Sequence, residues 1–300
     1  MRSRGPALAA ALVVAAAGPA AAQQAAPTVI TLGTGTPFPD PARQGPATAV
    51  TVGPMVLLFD AGTGVERQLR AAGLPMSGPT ALFLTHLHSD HTLGLADLIL
   101  TSWVMRRAHP FRVIGPPGTA RMIDRLAEAY AEDIRIRTEG LEHEVAGGWQ
   151  VRVAETEGGV VFDSGGVKVT AIPVPHGNWP VAFAFVVEGA GRRIVISGDT
   201  RYSDALAAAA RGADVLVHEV YPSTRMAPED RPGGEDWPEY LRQFHTSDVE
   251  LGALAARARP RLLVLTHVVR MGASDAELLA GIRRGGYQGP VAFANDLDRF

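Results

Sequence analysis

The sequence contains no cysteine. That excludes disulfides, thiolate catalysis, iron–sulfur clusters and any zinc site built on sulfur. It also excludes a lipid anchor carried on an N-terminal cysteine. Lysine is nearly absent: Lys168 is the only one, and arginine supplies almost all the positive charge. The formal net charge is −3. A broad nucleic-acid surface usually shows as an excess of Lys and Arg, so nucleic acid is not expected as a partner. Aromatic residues make up only 6% of the chain, which leaves the core to Ala, Val and Leu. The one apolar run that stands out, residues 7–18, is too short to span a bilayer.

That run has the layout of a secretory signal. Arg2 and Arg4 precede it, and an Ala-x-Ala site at residues 20–22 follows. Cleavage after Ala22 would release residues 23–300 as an exported, periplasmic protein without a membrane span. No stretch rich in Gly, Ser or Pro divides residues 23–300, so a single domain is expected. Residues 222–244 concentrate Pro, Asp, Gly and Glu and read as a surface loop or lid.

Apolar, β-branched runs predict strands over 28–32, 49–52, 55–59, 81–84 and 111–114. Helices are expected over 63–72, 92–105 and 118–131, and residues 149–174 are strand-like. A hairpin over 181–187 and 193–197 turns at Gly189–Gly191. Helices over 204–210, 248–258 and 274–283 then alternate with strands over 215–219, 262–266 and 291–294. Ser274 with Glu277 three residues on makes a capping box for the last helix. The pattern predicts an α/β protein with two sheets packed together and helices outside.

The chemistry lies in the histidines. Of nine, three fall within six residues in the string HLHSDH, with Asp90 among them. His86 and His88 are two apart, so on extended backbone both rings point the same way and grip one metal. Asp90 and His91 are adjacent, point to different sides, and suit a neighbouring second metal. The apolar run at 81–84 places the cluster at the C-terminal end of a strand, where layered α/β proteins commonly bind ligands. Imidazole and carboxylate donors without sulfur favour zinc, with manganese or iron(II) as alternatives.

These features resemble the metallo-β-lactamase superfamily. LLFDAG, HLHSDH, PVPHGN, ISGDT and LTH follow in order, each after a strand-like run. The resemblance implies an αββα four-layer sandwich of two mixed sheets flanked by helices. It implies that His86, His88 and His176 hold one divalent ion, that Asp90, His91 and His267 hold a second, and that Asp199 bridges them. Asp60 is then a supporting residue that bonds the ligand loop. Two such ions share a water, lower its pKa and neutralise developing charge, so a bridging hydroxide attacks an ester bond, oriented by Asp90. A turn-forming role is the alternative for Asp199.

The opening LGTGTPFPDPARQ, with Arg43, resembles the ribonuclease Z and arylsulfatase-like branch, as do HEVY at 218–221 and FHTS at 244–247. By that resemblance Glu219 orients His245, and His245 protonates the leaving oxygen; a helix-terminal role is the alternative for His245. His218, on the opposite strand face, reads as core, and His109 and His143 read as solvent-facing. Ribonuclease Z enzymes that process transfer RNA carry a long basic arm between the positions of His176 and Asp199. Here only 22 residues separate them. That gap, the charge and the leader point to a small phosphodiester or arylsulfate ester as substrate. A lactone or phosphotriester hydrolase, a ribonuclease Z-type endonuclease and a non-catalytic metal-binding accessory protein are the alternatives. Trp179, Arg201, Trp237 and Arg270 are substrate-contact candidates, with core packing or plain surface exposure as the competing reading. Homodimerisation is expected by analogy alone.

Overall fold

Runs of Val, Ile, Leu and Phe broken by Gly and Pro become strands that hydrogen-bond in sequence order. β1 (Thr28–Gly33), β2 (Ala47–Val52), β3 (Met55–Phe59), β4 (Ala81–Phe83), β5 (Phe111–Gly115) and β6 (Val151–Glu155) form one sheet. Its first three strands are an antiparallel meander, and the rest pair in parallel. β7 (Gly159–Ser164), β8 (Val167–Pro173), β9 (Phe183–Gly189), β10 (Arg192–Ile196), β11 (Val215–Val220), β12 (Leu262–Val268) and β13 (Val291–Phe293) form the second. There β7 to β10 are antiparallel neighbours and β10 to β13 are parallel. The structure is a computed structural model that describes Met1, residues 25–227, Gly234 and residues 236–300. Apart from Met1, the expected leader over 1–22 lies outside the described residues, as do positions 228–233 and 235 of the expected lid.

Helices cover both outer faces. α1 (Val65–Ala71), α2 (Ser89–Thr92), α3 (Leu95–Val104), α4 (Thr119–Ala129) and α5 (Ala131–Glu139) follow strands of the first sheet. α6 (Asp204–Ala209), α7 (Trp237–Phe244), α8 (Asp248–Ala258) and α9 (Asp275–Arg284) belong to the second half. Between the sheets, Phe59 stacks on Phe83 at 5.0 Å, and Phe185 packs against both. Each such buried ring contributes roughly 1.5–3 kcal/mol. The other two apolar layers join the first sheet to α1 and α3, and the second sheet to α6, α8 and α9. The result is the expected αββα sandwich.

Some boundaries differ from the sequence reading. The helix expected over 92–105 begins at Leu95, and the separate turn α2 precedes it across Leu93–Gly94, where a Cβ at Gly94 would collide with the Gly62 carbonyl. α5 is an additional helix directly after α4. The 222–244 stretch is not all loop: Asp236 caps α7 through the Glu239 N–H, Pro238 sits in its first turn, and Leu241 is fully buried. The capping box of Ser274 and Glu277 is present as expected, and Ser247 with Glu250 makes a second.

The chain's last residues return to its first sheet. Phe300 and Val29 exchange backbone bonds, and Thr31 donates to the Asp298 carbonyl and accepts from the Leu297 N–H. Asp296 accepts from the backbone N–H (2.9 Å) and hydroxyl (2.7 Å) of Thr34, from Gln44 N–H (2.7 Å) and from Gln68 Nε2 (2.9 Å). Arg43 donates to Thr34 Oγ1 and to the Ala294 carbonyl. This hub fixes the glycine- and proline-rich loop 34–44. Asp296→Ala is expected to strand these donors and cost about 1–3 kcal/mol, a melting point lower by roughly 2–8 °C. Thermal denaturation checks this, and an unchanged melting point would count against the hub.

Candidate metal centre

The strands deliver their polar residues to one end of the sandwich. β4 stops at Phe83, and Leu84 and Thr85 lead into His86, which is fully buried. Asp60 follows β3 with a left-handed backbone (φ 61°), a conformation uncommon outside glycine. Its carboxylate accepts from Thr85 N–H at 2.8 Å and from the Thr85 hydroxyl, and contacts His91 Nδ1 at 2.8 Å. The Thr85 hydroxyl in turn accepts from His86 Nδ1 at 2.9 Å. Asp60 therefore orients His91 directly and His86 through Thr85, and both rings turn their Nε2 inward.

His176, just beyond β8, donates from Nδ1 to the Phe244 carbonyl at 2.7 Å. A carbonyl only accepts, so Nδ1 carries the hydrogen and Nε2 keeps a lone pair for the centre. Gly177 (φ 50°) permits this contact, since a Cβ there would strike the Phe244 ring. His88 Nδ1 lies 2.9 Å from His86 Nε2 and 3.1 Å from His176 Nε2. Donor atoms of His86, His88, His176 and Asp199 all fall within 4.8 Å of one another, as do those of Asp90, His91 and His267. Asp199 follows β10 and faces both groups: its Oδ2 is 3.4 Å from His91 Nε2, 3.5 Å from His267 Nε2 and 4.0 Å from His86 Nε2. His267, on β12 with φ 45°, places Nε2 3.2 Å from Asp90 Oδ2.

The residues present suit divalent cations. His91 Nε2 is buried with no hydrogen-bond partner and looks into the carboxylates. Burial opposes charge on His91, yet Asp199 and Asp60 lift its pKa well above the usual value. His267 is raised against the same burial by Asp199 and by its bond to Asp90. Burial alone would raise Asp199, but His267 and His91 hold it well below the usual carboxylate range. For His176 burial outweighs the pull of Asp199, and its pKa is lowered to about 4. The centre thus draws positive charge inward, and its nitrogen and oxygen donors match zinc and similar ions.

A second pair stands beside this cluster. Glu219, buried in β11, places Oε2 3.2 Å from His245 Nδ1, while its Oε1 accepts from the Thr200 and Thr246 N–H groups. Burial and the neighbouring Asp199 push the Glu219 carboxyl well above its ordinary range. Burial lowers His245 to about 4. His245 sits between α7 and α8 and lines a cavity of about 200 Å³ with His88, Asp90, Asp199 and His267.

The substrate-contact candidates divide. Trp237 lines this cavity. Arg270 lines a larger adjoining one and pairs with Asp275 at 2.6 Å. Trp179 does not line either cavity; its indole N–H donates to His88 Nε2 at 2.8 Å. Arg201 is exposed and lines neither; its backbone N–H is bonded to the Pro175 carbonyl. His218 is fully buried, and His109 and His143 are exposed. Phe38, Phe244 and Thr85 were not legible as site residues. Only the position of Phe244, directly before His245, offered a signal.

Comparison with known proteins fits this geometry. A family model described as a beta-lactamase superfamily domain matches residues 56–268. A ribonuclease Z of Mycobacterium bovis (strain BCG / Pasteur 1173P2) is 35% identical over 274 residues, covering 89% of this chain and 95% of the relative. The solved structure of the short form of human tRNase Z superposes with a TM-score of 0.68 at 25% identity, covering 91% of this chain and 98% of that one. The metallo-beta-lactamase fold protein YhfI from Bacillus subtilis gives a TM-score of 0.69 at 18% identity, covering 91% and 98%. These relatives overturn the expectation that nucleic acid is not a partner, because the named homologues are ribonucleases. Net charge averages the whole surface and says little about one site, where Arg43, Arg225 and Arg270 line a cavity together with Asp40. Nothing in the comparisons supports a sulfate-ester or small-ester substrate. By its matched domain and its ribonuclease Z homologues, this chain belongs to the metallo-β-lactamase superfamily and is a metal-dependent hydrolase of its ribonuclease Z branch.

Proposed function

We propose that the protein is an endoribonuclease that hydrolyses a phosphodiester bond of RNA, with tRNA as the substrate class. The observation that supports it most is a shared cavity: His88, Asp90, Asp199 and His267 of the cluster line one space with His245, whose Nδ1 lies 3.2 Å from Glu219 behind it. In this reading His86, His88, His176 and Asp199 hold one divalent ion, and Asp90, His91, His267 and Asp199 hold the other, zinc being the favoured metal. Bound ions supply an activated water and neutralise charge on the phosphate. Asp90 lines the cavity, where its carboxylate would orient such a water. Glu219 fixes the His245 ring, and His245 passes a proton to the departing oxygen. Asp60 and Thr85 hold His86 and His91 in place.

The test is a substrate panel on metal-free protein with zinc or manganese restored. A tRNA transcript with unpaired extensions at both ends, bis-p-nitrophenyl phosphate and p-nitrophenyl sulfate are compared. Cleavage of the RNA at one position, lost with chelator and regained with metal, is the expected result. Hydrolysis of either small ester with intact RNA would overturn it.

A further inference from the structure

His218 takes no part in the chemistry described so far. Along β11, Val215 and Val217 join the core between the sheets, and Leu216 and Val220 join the layer under α6, α8 and α9. By that alternation Glu219 goes with the first pair and His218 with the second. His218 is fully buried in this apolar layer. Burial lowers its pKa to about 4, so the ring is neutral and carries one N–H. Its Nδ1 lies 2.7 Å from the Glu219 carbonyl, which only accepts, so Nδ1 holds that hydrogen. Nε2 is left as a buried acceptor with no partner among the described residues. A leucine there would avoid that unpaired nitrogen. What the imidazole adds, and a leucine would not, is the bond from Nδ1.

The main chain of Glu219 sits where the sheet stops supporting it. β10 pairs with β11 as far as Ile196 and Val217, and the Ser197 N–H then takes the Val217 carbonyl at 2.9 Å. Glu219 is the next residue of β11 to face that side, and β10 has ended. Its N–H goes to the Ser197 hydroxyl at 3.3 Å, and its carbonyl goes to His218. On the opposite side, β11 shifts register against β12 between His218 and Val220. Two side chains thus stand in for the ladder at the one residue whose Oε2 lies 3.2 Å from His245.

We propose that His218 is a positioning residue for the Glu219–His245 pair: its imidazole N–H holds the Glu219 carbonyl beyond the end of β10 and so aims the Glu219 side chain at His245. His218 touches no reacting atom and acts only through Glu219. A small tilt of that main chain would be magnified along the glutamate side chain, and proton transfer to a leaving oxygen depends steeply on alignment. This inference rests on the role that the ribonuclease reading gives to Glu219 and His245, and adds the residue that fixes their geometry from behind the sheet.

A double-mutant cycle tests it. His218→Leu suits the apolar layer and removes the bond. On the RNA substrate its kcat should fall roughly 10-fold with KM little changed, and on bis-p-nitrophenyl phosphate by no more than about twofold. In a His245→Ala background the same substitution should change the RNA rate by no more than about twofold, because the group it positions is gone. His218→Asn places its amide nitrogen where Nδ1 stands and should recover most of the RNA rate. If the leucine variant does not fold, His218→Gln replaces it, since its amide stands at the Nε2 position and cannot make the bond. Equal losses on both substrates, or an undiminished loss in the His245→Ala background, would overturn the positioning role while leaving the ribonuclease reading intact. Wild-type protein that hydrolyses bis-p-nitrophenyl phosphate and cleaves no RNA would overturn that reading and the positioning role with it.

Discussion

Asp199→Ala is expected to lower turnover on every ester by about 10³-fold or more and to strip the protein of at least one metal ion. Asp199 is the residue that faces both donor groups, so its loss leaves the first with histidines alone and the second with Asp90 as its one carboxylate. The buried His91 and His267 also lose the carboxylate that raises their basicity. Metal content by elemental analysis and steady-state rates are measured on the same preparation. A variant that keeps two ions and full turnover would show that Asp199 does not join the two groups. His86→Ala serves as a companion, since it removes one donor from the centre of the first group only.

His245→Ala should behave differently. It is expected to retain metal, because His245 lies outside both donor groups. Turnover of RNA, whose departing sugar oxygen needs a proton, should fall by roughly 10²–10⁴-fold. Turnover of bis-p-nitrophenyl phosphate should fall far less, since p-nitrophenolate leaves without one. Glu219→Gln should give a milder version of the same leaving-group pattern, because Oε2 sits 3.2 Å from His245 Nδ1 and orients the ring. Equal losses on both substrates would assign His245 to structure instead.

Much of this site was legible because its signals are local. HLHSDH sets three histidines and an aspartate behind an apolar strand, and a strand end is where layered α/β folds gather ligands. His176, Asp199 and His267 are far apart in the chain, yet each follows or ends a strand that packs in the second sheet. The departures have physical causes. Arg201 was singled out for standing two residues past Asp199; it is exposed with its backbone tied to Pro175, as the competing surface reading has it. Helix α7 was hidden by the loop-like composition around it, although Asp236, Pro238 and Leu241 supply a cap, a first-turn proline and an anchor. Phe38 sits in a run of Gly and Pro whose conformation depends on Asp296, more than 250 residues away. No local pattern carries that dependence.

That wiring of Asp296 to the 34–44 loop makes one wall of the site depend on contacts that span nearly the whole described chain, 262 residues to Thr34 and 252 to Gln44. Closing a loop of that length costs entropy before the contact rewards it. The strands around HLHSDH pair with nearer neighbours in the chain and face a smaller cost. In folding, the wall that carries Phe38 and Arg43 is therefore expected to lock after the histidine cluster is assembled.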